Sequence, residues 1–392
     1  ASGMVDGITA EGSLNENSYQ YSISGGEPKS DGVSYVGGLI GRLEGEAQHL
    51  AAEGIQVIGS KRVGGLVGET TNPSGARKYY GFRLGVRTDH SDSSESRGAW
   101  TGTNYDADNN VIIRNKVKGY QYVGGIFGYL GQSEEINHYN EIYNADISAS
   151  FNRVGGYAGE SGWTYPIYMI GEDLTVSSTG DYAGGLYGSQ GSAKYLYVNR
   201  VTVSGSDYVS GTYGNYAHTN TKDALIANSV VSGSNYVSGY EGQRYYDVDN
   251  TRIGVHNCSI TATGNYAGGI FASVEMRNTY TCFVSHTDVK AQNYAGGLAG
   301  ELRCGRVYRC EIDADVSASQ AAGGLAGRMY SYTYNTMYPS YYPYTTLFRN
   351  IVSGTVNAST TLAGGLAGEF LPGDDRLNAD GGVMQEAPND MT

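Results

Sequence analysis

The sequence predicts an all-β chain folded as a single parallel β-helix, a solenoid of about twelve coils with roughly 28 residues and three short strands per coil. Three observations predict this. A seven-residue glycine-rich motif recurs along the 392 residues. The segments between copies alternate apolar and polar with period two and are rich in Val, Ile, Thr and Tyr. No long window carries a 3.6-residue apolar stripe with helix caps.

The motif reads aromatic or Arg, Val or Ala, Gly, Gly, Leu-like, any, Gly. It appears as YVGGLIG from Tyr35, RVGGLVG from Arg62, YVGGIFG from Tyr122, RVGGYAG from Arg153 and YAGGLYG from Tyr182. YVSGTYG from Tyr208, YVSGYEG from Tyr236, YAGGIFA from Tyr266 and YAGGLAG from Tyr294 follow, then AAGGLAG from Ala321 and LAGGLAG from Leu362. A degenerate copy, SRGAWTG from Ser96, fills the longest early gap and completes twelve. The first motif glycine, or the Ser replacing it, then recurs at intervals of 27, 34, 26, 31, 29, 26, 28, 30, 28, 27 and 41 residues. Between copies lie strand-like runs such as VTVSGSDYV at 201–209 and SVVSGSNYV at 229–237. A unit of this size cannot bury its own apolar face, so stacked units must share a core. Twelve coils spaced about 4.8 Å apart would form a rod on the order of 55–60 Å long.

Within the motif, Val and the Leu-like residue sit three apart, the wrong parity for one flat strand. A corner at the glycine pair turns both inward. The expected core therefore includes Val36, Leu39, Val63, Leu66, Val123, Ile126, Leu186, Ile270, Leu298, Leu325 and Leu366. The second, invariant motif glycines mark the corners: Gly38, Gly65, Gly125, Gly156, Gly185, Gly211, Gly239, Gly269, Gly297, Gly324 and Gly365. Val36, Val63, Val123, Val154, Val209 and Val237 should share one column. Tyr182, Tyr208, Tyr236, Tyr266 and Tyr294 should stack as an uninterrupted ladder.

Three segments fall outside the repeat. Residues 1–30 are a candidate cap or docking segment. The repeat proper spans 31–371 and carries a Tyr-rich insert at 329–348. Residues 372–392 form a polar tail that is a candidate docking strand. Docking of either segment on a second copy by β-augmentation would be head-to-tail and would build a filament.

Composition narrows function. Glycine contributes 59 residues, tyrosine 36 and proline 7, with 17% charged residues, which excludes coiled coils and collagen. A net charge of −13 without any basic patch argues against nucleic acid and anionic membrane partners. No apolar run is long enough for a membrane span. The chain opens on Ala1 and Ser2, so a removed leader is expected. Four cysteines, Cys258, Cys282, Cys304 and Cys310, lack zinc-site spacing and fit disulfides in an extracellular setting. Two pairings stand open: Cys282 with Cys310 on adjacent coils, or the slightly preferred Cys304–Cys310 with Cys258–Cys282.

The YVGGLIG and YAGGLAG copies resemble the GLUG motif, a glycine-rich repeat of large bacterial and archaeal surface proteins. The resemblance covers about Gly32 to Leu371. It implies an extracellular, adhesin-like β-solenoid and brings no catalytic residues to carry over. The Tyr-rich insert and the Ser residues at 210 and 238 depart from the pattern.

Candidate chemistry is sparse. Asp106, Asp108 and Asn110 open like a calcium loop, but Val111 and Val117 occupy its Gly and Glu positions, so an ordinary polar turn is the stronger reading. Asp374–Asp375 and Asp313/Asp315 are the carboxylate pairs a polysaccharide-active β-helix could use, without a basic cluster to complete such a site. Asn257 and Asn357 head candidate glycosylation sequons. No cofactor is implied. The expectation is a non-enzymatic extracellular structural or adhesive protein, a surface adhesin or a self-associating fibre subunit. A polysaccharide-active enzyme or a glycan-binding module is the alternative.

Overall fold

The computed structural model describes the chain except residues 1–3, 7–8, 12–13, 16–17, 20, 33, 72–78, 86–113, 132–135, 163–165, 192, 218–220, 245–248, 331–344 and 372–392. Side chains are additionally undescribed at 4–22, 80, 136–138, 166–167, 244, 276–277 and 304–305. Among the described residues there is no helix. Short strands climb as a parallel β-solenoid with about 29 residues per turn.

The motif strands hold the register. Val36 pairs with Val63, Val63 with Val123, and Val123 with Val154. The column then runs without a break through Ala183, Val209, Val237, Ala267, Ala295, Ala322 and Ala363. From Val123 to Ala363 this is about eight consecutive turns. The predicted valine column is therefore present, but twelve coils overstate the stack. The copy at Ser96 lies outside the described residues, and Val63 pairs directly with Val123, so no rung stands between them. At about 4.8 Å per rung, the motif column is roughly 50 Å long, shorter than expected.

Some turns hold the three strand segments expected, as Phe283–Ala291, Tyr294–Gly296 and Ala299–Tyr308 do, and others hold more. One turn passes through Val230–Gly233, Asn235–Ser238, Glu241–Arg244, Asn250–Thr251 and Ile253–His256. Short segments suffice because every one is paired with the matching segment of the next turn.

The chain bends at the second motif glycine and the residue after it in each of the eleven full copies, as expected, and left-handed backbone recurs two residues before the glycine pair in many of them. Tyr35, Arg62, Tyr122, Arg153, Tyr182, Tyr208 and Tyr236 all have φ between 52° and 63°. Two further corners repeat the device, one through Asn144, Asp173, Arg200, Asn228 and Asn257, the other through Arg252, Thr281, Arg309 and Arg349. The motif glycines also serve close approach. A Cβ on Gly297 would run into the carbonyl oxygen of Gly324 on the next turn, and one on Gly296 into the oxygen of Ala299. Where Ser210 and Ser238 replace the first glycine, their buried hydroxyls have no hydrogen-bond partner.

The core sits inside the coil. Val36, Val63, Leu66, Val123, Ile126, Leu186, Ile270, Leu298 and Leu325 are buried, and Leu39 packs against the cluster. Leu366 departs from expectation: it belongs to the outermost described turn and is exposed, because no described segment stacks above it. The sequence did not announce a second interior column. Phe127, Tyr157, Tyr187, Tyr213, Tyr240 and Phe271 pile up inside the tube, mostly edge-to-face, with centroids 5.4–6.0 Å apart. Two of their phenols find interior partners: Tyr187 meets the Met169 sulfur at 3.2 Å, and Tyr240 donates to Thr221 Oγ1 at 2.5 Å.

The N-terminal segment folds onto its own chain. Met4–Asp6, Thr9–Glu11 and Tyr21–Ser24 pair in parallel with Glu46–Gln48, Ala51–Glu53 and Ile55–Ile58. An antiparallel pairing of Leu14–Asn15 with Ser18–Tyr19 interrupts this turn. The parallel strands form the outermost described turn at this end of the solenoid. The docking tail at 372–392 and most of the Tyr-rich insert lie outside the described residues.

Candidate functional site

The first residue of the motif, left-handed in the full copies from Tyr35 to Tyr236, throws its side chain onto one flank of the rod. Because every turn repeats the geometry, these side chains meet at the coil spacing. Tyr182, Tyr208, Tyr236, Tyr266 and Tyr294 stack with centroids 5.1, 4.9, 5.2 and 5.3 Å apart. The first two pairs are nearly parallel, at 8° and 6°. The five-residue ladder is as expected.

Arginines lengthen it. Arg153, in the aromatic position of its copy, lies over Tyr122 at 5.0 Å and Tyr182 at 5.8 Å. Arg62 lies over Tyr35 at 5.3 Å, and Arg328 covers Tyr294 at 3.9 Å. Guanidinium planes thus stand in for rings in the same stack. The signal was present in the RVGG copies, where Arg replaces Tyr.

A row of carboxylates flanks the ladder, from the strand just after each motif. Glu69 pairs with Arg62, Glu160 with Arg153, and Glu369 with Arg328 at 2.6 Å. Glu301 takes Arg303 at 2.9 Å and the Ser273 hydroxyl at 3.0 Å. Burial raises the Glu160 carboxyl above its usual range, against the pull of Arg153 and Arg62. Burial is also the main cause that raises the Tyr236 and Tyr266 phenols, with the Glu301 charge adding to it.

Chemically this flank offers ring edges and hydroxyls, not ring faces. The faces are already covered by the neighbouring ring or guanidinium. Sugar stacking needs an open face, so the ladder is not a sugar-stacking platform along its length. Other columns repeat the pattern: Tyr139, Tyr168 and Tyr195 stack at 4.7 and 4.8 Å. Asn257 donates to Asn228 at 2.7 Å and Asn228 to Asn199 at 2.9 Å. Arg200 grips Asp173 and Arg252 grips Asp223, each one turn away.

The remaining candidates separate clearly. Asp313 and Asp315 share an outward face but bond to the next turn, through Ser353 at 3.3 Å and the Thr355 backbone at 3.1 Å. The Thr355 bonds hold the Asp315 carboxyl below its usual range. The sequon residues Asn257 and Asn357 are exposed. Asp106, Asp108, Asn110, Asp374 and Asp375 lie outside the described residues. Among the described residues no group of three or more His, Cys, Asp or Glu could hold a metal ion, and no helix is long and apolar enough to cross a membrane.

The cysteine pairings are also placed. Cys258, Cys282 and Cys310 are buried thiols. Cys304 lies in the extended strand Ala299–Tyr308, which already carries the chain about 13 Å onward by Tyr308, too far for a bridge to Cys310. Cys258 and Cys282 occupy different columns, separated by the length of Ile253–His256, about 10 Å. The preferred pairing is therefore overturned by strand geometry. Burial pushes the Cys258 thiol up to about 11.

No family model matches the chain, nor does any curated protein or solved structure.

Proposed function

We propose that the chain is a non-enzymatic extracellular structural or adhesive protein, a rod-like surface module that self-associates as a fibre subunit. One observation carries this reading. Among the described residues, outward polar and aromatic side chains form axial ladders: Tyr on Tyr, Arg on Tyr, Asn on Asn and Arg on Asp from turn to turn. Such ladders bind each turn to the next and stiffen the rod. They do not converge on a groove, as the acid and base of a polysaccharide-cleaving site must. The likeness of the motif to the GLUG repeat of surface proteins supports the same assignment.

Incubation with a panel of polysaccharides, followed by size analysis of the products, tests the non-enzymatic part. Intact polymers are expected, and shortened chains that depend on the protein would refute it. Negative-stain imaging tests the fibre part: rods joined end to end are expected, while single rods at every concentration would argue against a fibre subunit.

A further inference from the structure

One column runs through Leu196, Ala224, Ile253, Cys282, Cys310 and Asn350, the last four each just after a left-handed corner residue. The register fixes this order: Phe283 pairs with Glu311, and Glu311 with Ile351. The Glu311 N–H donates to the Cys282 carbonyl at 3.0 Å, and the Ile351 N–H to the Cys310 carbonyl at 2.9 Å. Cys282 and Cys310 thus sit on successive turns, directly above one another, at the roughly 4.8 Å rung spacing. That lies within the Cα separation of about 4.4–6.8 Å that a disulfide spans. Both side chains are buried in the tube, Cys282 Sγ donating to the Tyr280 carbonyl at 3.4 Å and Cys310 Sγ to the Tyr308 carbonyl at 3.5 Å. Cys258 differs. In its own column the neighbouring turns present Ser229, whose Oγ accepts from the Val201 N–H at 3.1 Å, and Thr287, whose hydroxyl accepts from the Cys258 N–H at 3.3 Å.

We propose that Cys282 and Cys310 form a single turn-to-turn disulfide and that Cys258 takes no part in it. The chemistry is exchange with a small-molecule disulfide. One cysteine thiolate attacks a sulfur of the reagent, giving a mixed disulfide and releasing one reagent thiol. The second cysteine then attacks the protein sulfur of that mixed disulfide and releases the second reagent thiol. The two cysteines lose two electrons and two protons, and the reagent disulfide gains them. Burial sets the moment of reaction. Asn350 of the last described turn closes over the pair, accepting from the Cys310 N–H at 3.0 Å and donating to the Val307 carbonyl at 2.9 Å. Exchange therefore takes place before that turn docks or while it is open. The cross-link then fastens turns that hydrogen bonds and packing alone would hold. This inference does not depend on the proposed function.

The test refolds the full chain with oxidised and reduced glutathione, blocks remaining thiols under denaturing conditions, and maps the peptides by mass. A Cys282–Cys310 peptide pair and a blocked Cys258 are expected. In the same material, dithiothreitol should lower the melting temperature by several degrees. The C258A variant should keep both the cross-link and that shift, and the C282A/C310A variant should melt at the same temperature with or without reductant. A bridge containing Cys258 or Cys304, or four blocked thiols after oxidative refolding, would overturn the proposal.

Discussion

At Gly297 a methyl group has nowhere to go, since the next turn's Gly324 carbonyl occupies its place and Ile312 crowds it from inside. G297A should cost about 1–3 kcal/mol through overpacking. Gly365 has the same motif position, but on the outermost described turn nothing lies within 4 Å of where its Cβ would stand, so G365A should stay within about 0.5 kcal/mol of wild type. Denaturant midpoints of the two variants check the contrast, and equal losses would refute the close-approach account. The corner residues allow an opposite experiment. Thr281 adopts φ 54°, an unfavourable region for a β-branched residue, while Asn144, Asn228 and Asn257 hold the equivalent conformation at a neighbouring corner. T281N should gain roughly 0.5–1 kcal/mol by relieving that strain. A loss of stability would show that the hydroxyl matters more than the backbone.

At the scale of the ladder, each inner tyrosine has a partner on both sides. Tyr236 faces Tyr208 at 4.9 Å and Tyr266 at 5.2 Å, so Y236A should cost about 1–3 kcal/mol for the two ring contacts alone. A double-mutant cycle with Y208A should return a coupling of about 0.5–1.5 kcal/mol, and a coupling near zero would reduce the stack to independent surface rings. The tyrosines also set a pH response. The phenols of Tyr129, Tyr157, Tyr236, Tyr266 and Tyr330 are all raised above the ordinary value of 10.0 by burial. A group whose folded-state pKa is raised stabilises fully below its unfolded pKa, and that stability is lost as pH rises. Stability should therefore fall steadily above pH 10, with late phenolate absorbance appearing together with unfolding. Phenolate that appears in full while the fold stays intact would contradict this. The ladder was readable because the motif repeats its aromatic position at a regular interval. The corner at the second motif glycine was readable too, from the wrong parity of the two inward residues around it, whereas the left-handed residues were not, because nothing in the letters of YVGG marks the tyrosine as left-handed in preference to the glycines, whose backbone suits it better. The interior ring column escaped because its members alternate between the fifth and sixth motif positions: Tyr157 and Tyr240 in the fifth, Phe127, Tyr187, Tyr213 and Phe271 in the sixth. The miscounted turn has a simpler cause, since spacing alone cannot tell a long insertion from a degenerate copy.

The whole rod is asymmetric along its axis. At one end the outermost turn is broken by the short antiparallel pairing around Leu14 and Tyr19, which blunts its edge against further pairing. At the other, the last described turn presents continuous parallel edges from Thr345–Phe348 to Ala367–Leu371. It also leaves large apolar side chains in the open, with Ile351 61% and Phe370 51% exposed beside Phe348, Leu362 and Leu366. A turn cut in this way is half of a core, and it has a strong drive to be covered. If a second copy covers it, the contact is head-to-tail and propagates. The double variant L366K/F370K places two charges on that face, over the buried Leu325 and Met329 of the turn beneath. End-to-end assemblies seen by sedimentation and negative stain should then shrink to single rods, with the melting temperature held within a degree or two. Assemblies of unchanged length would exclude this face as the joint. Unchanged assemblies with a melting temperature lower by several degrees would show further that the face is covered from within the same chain.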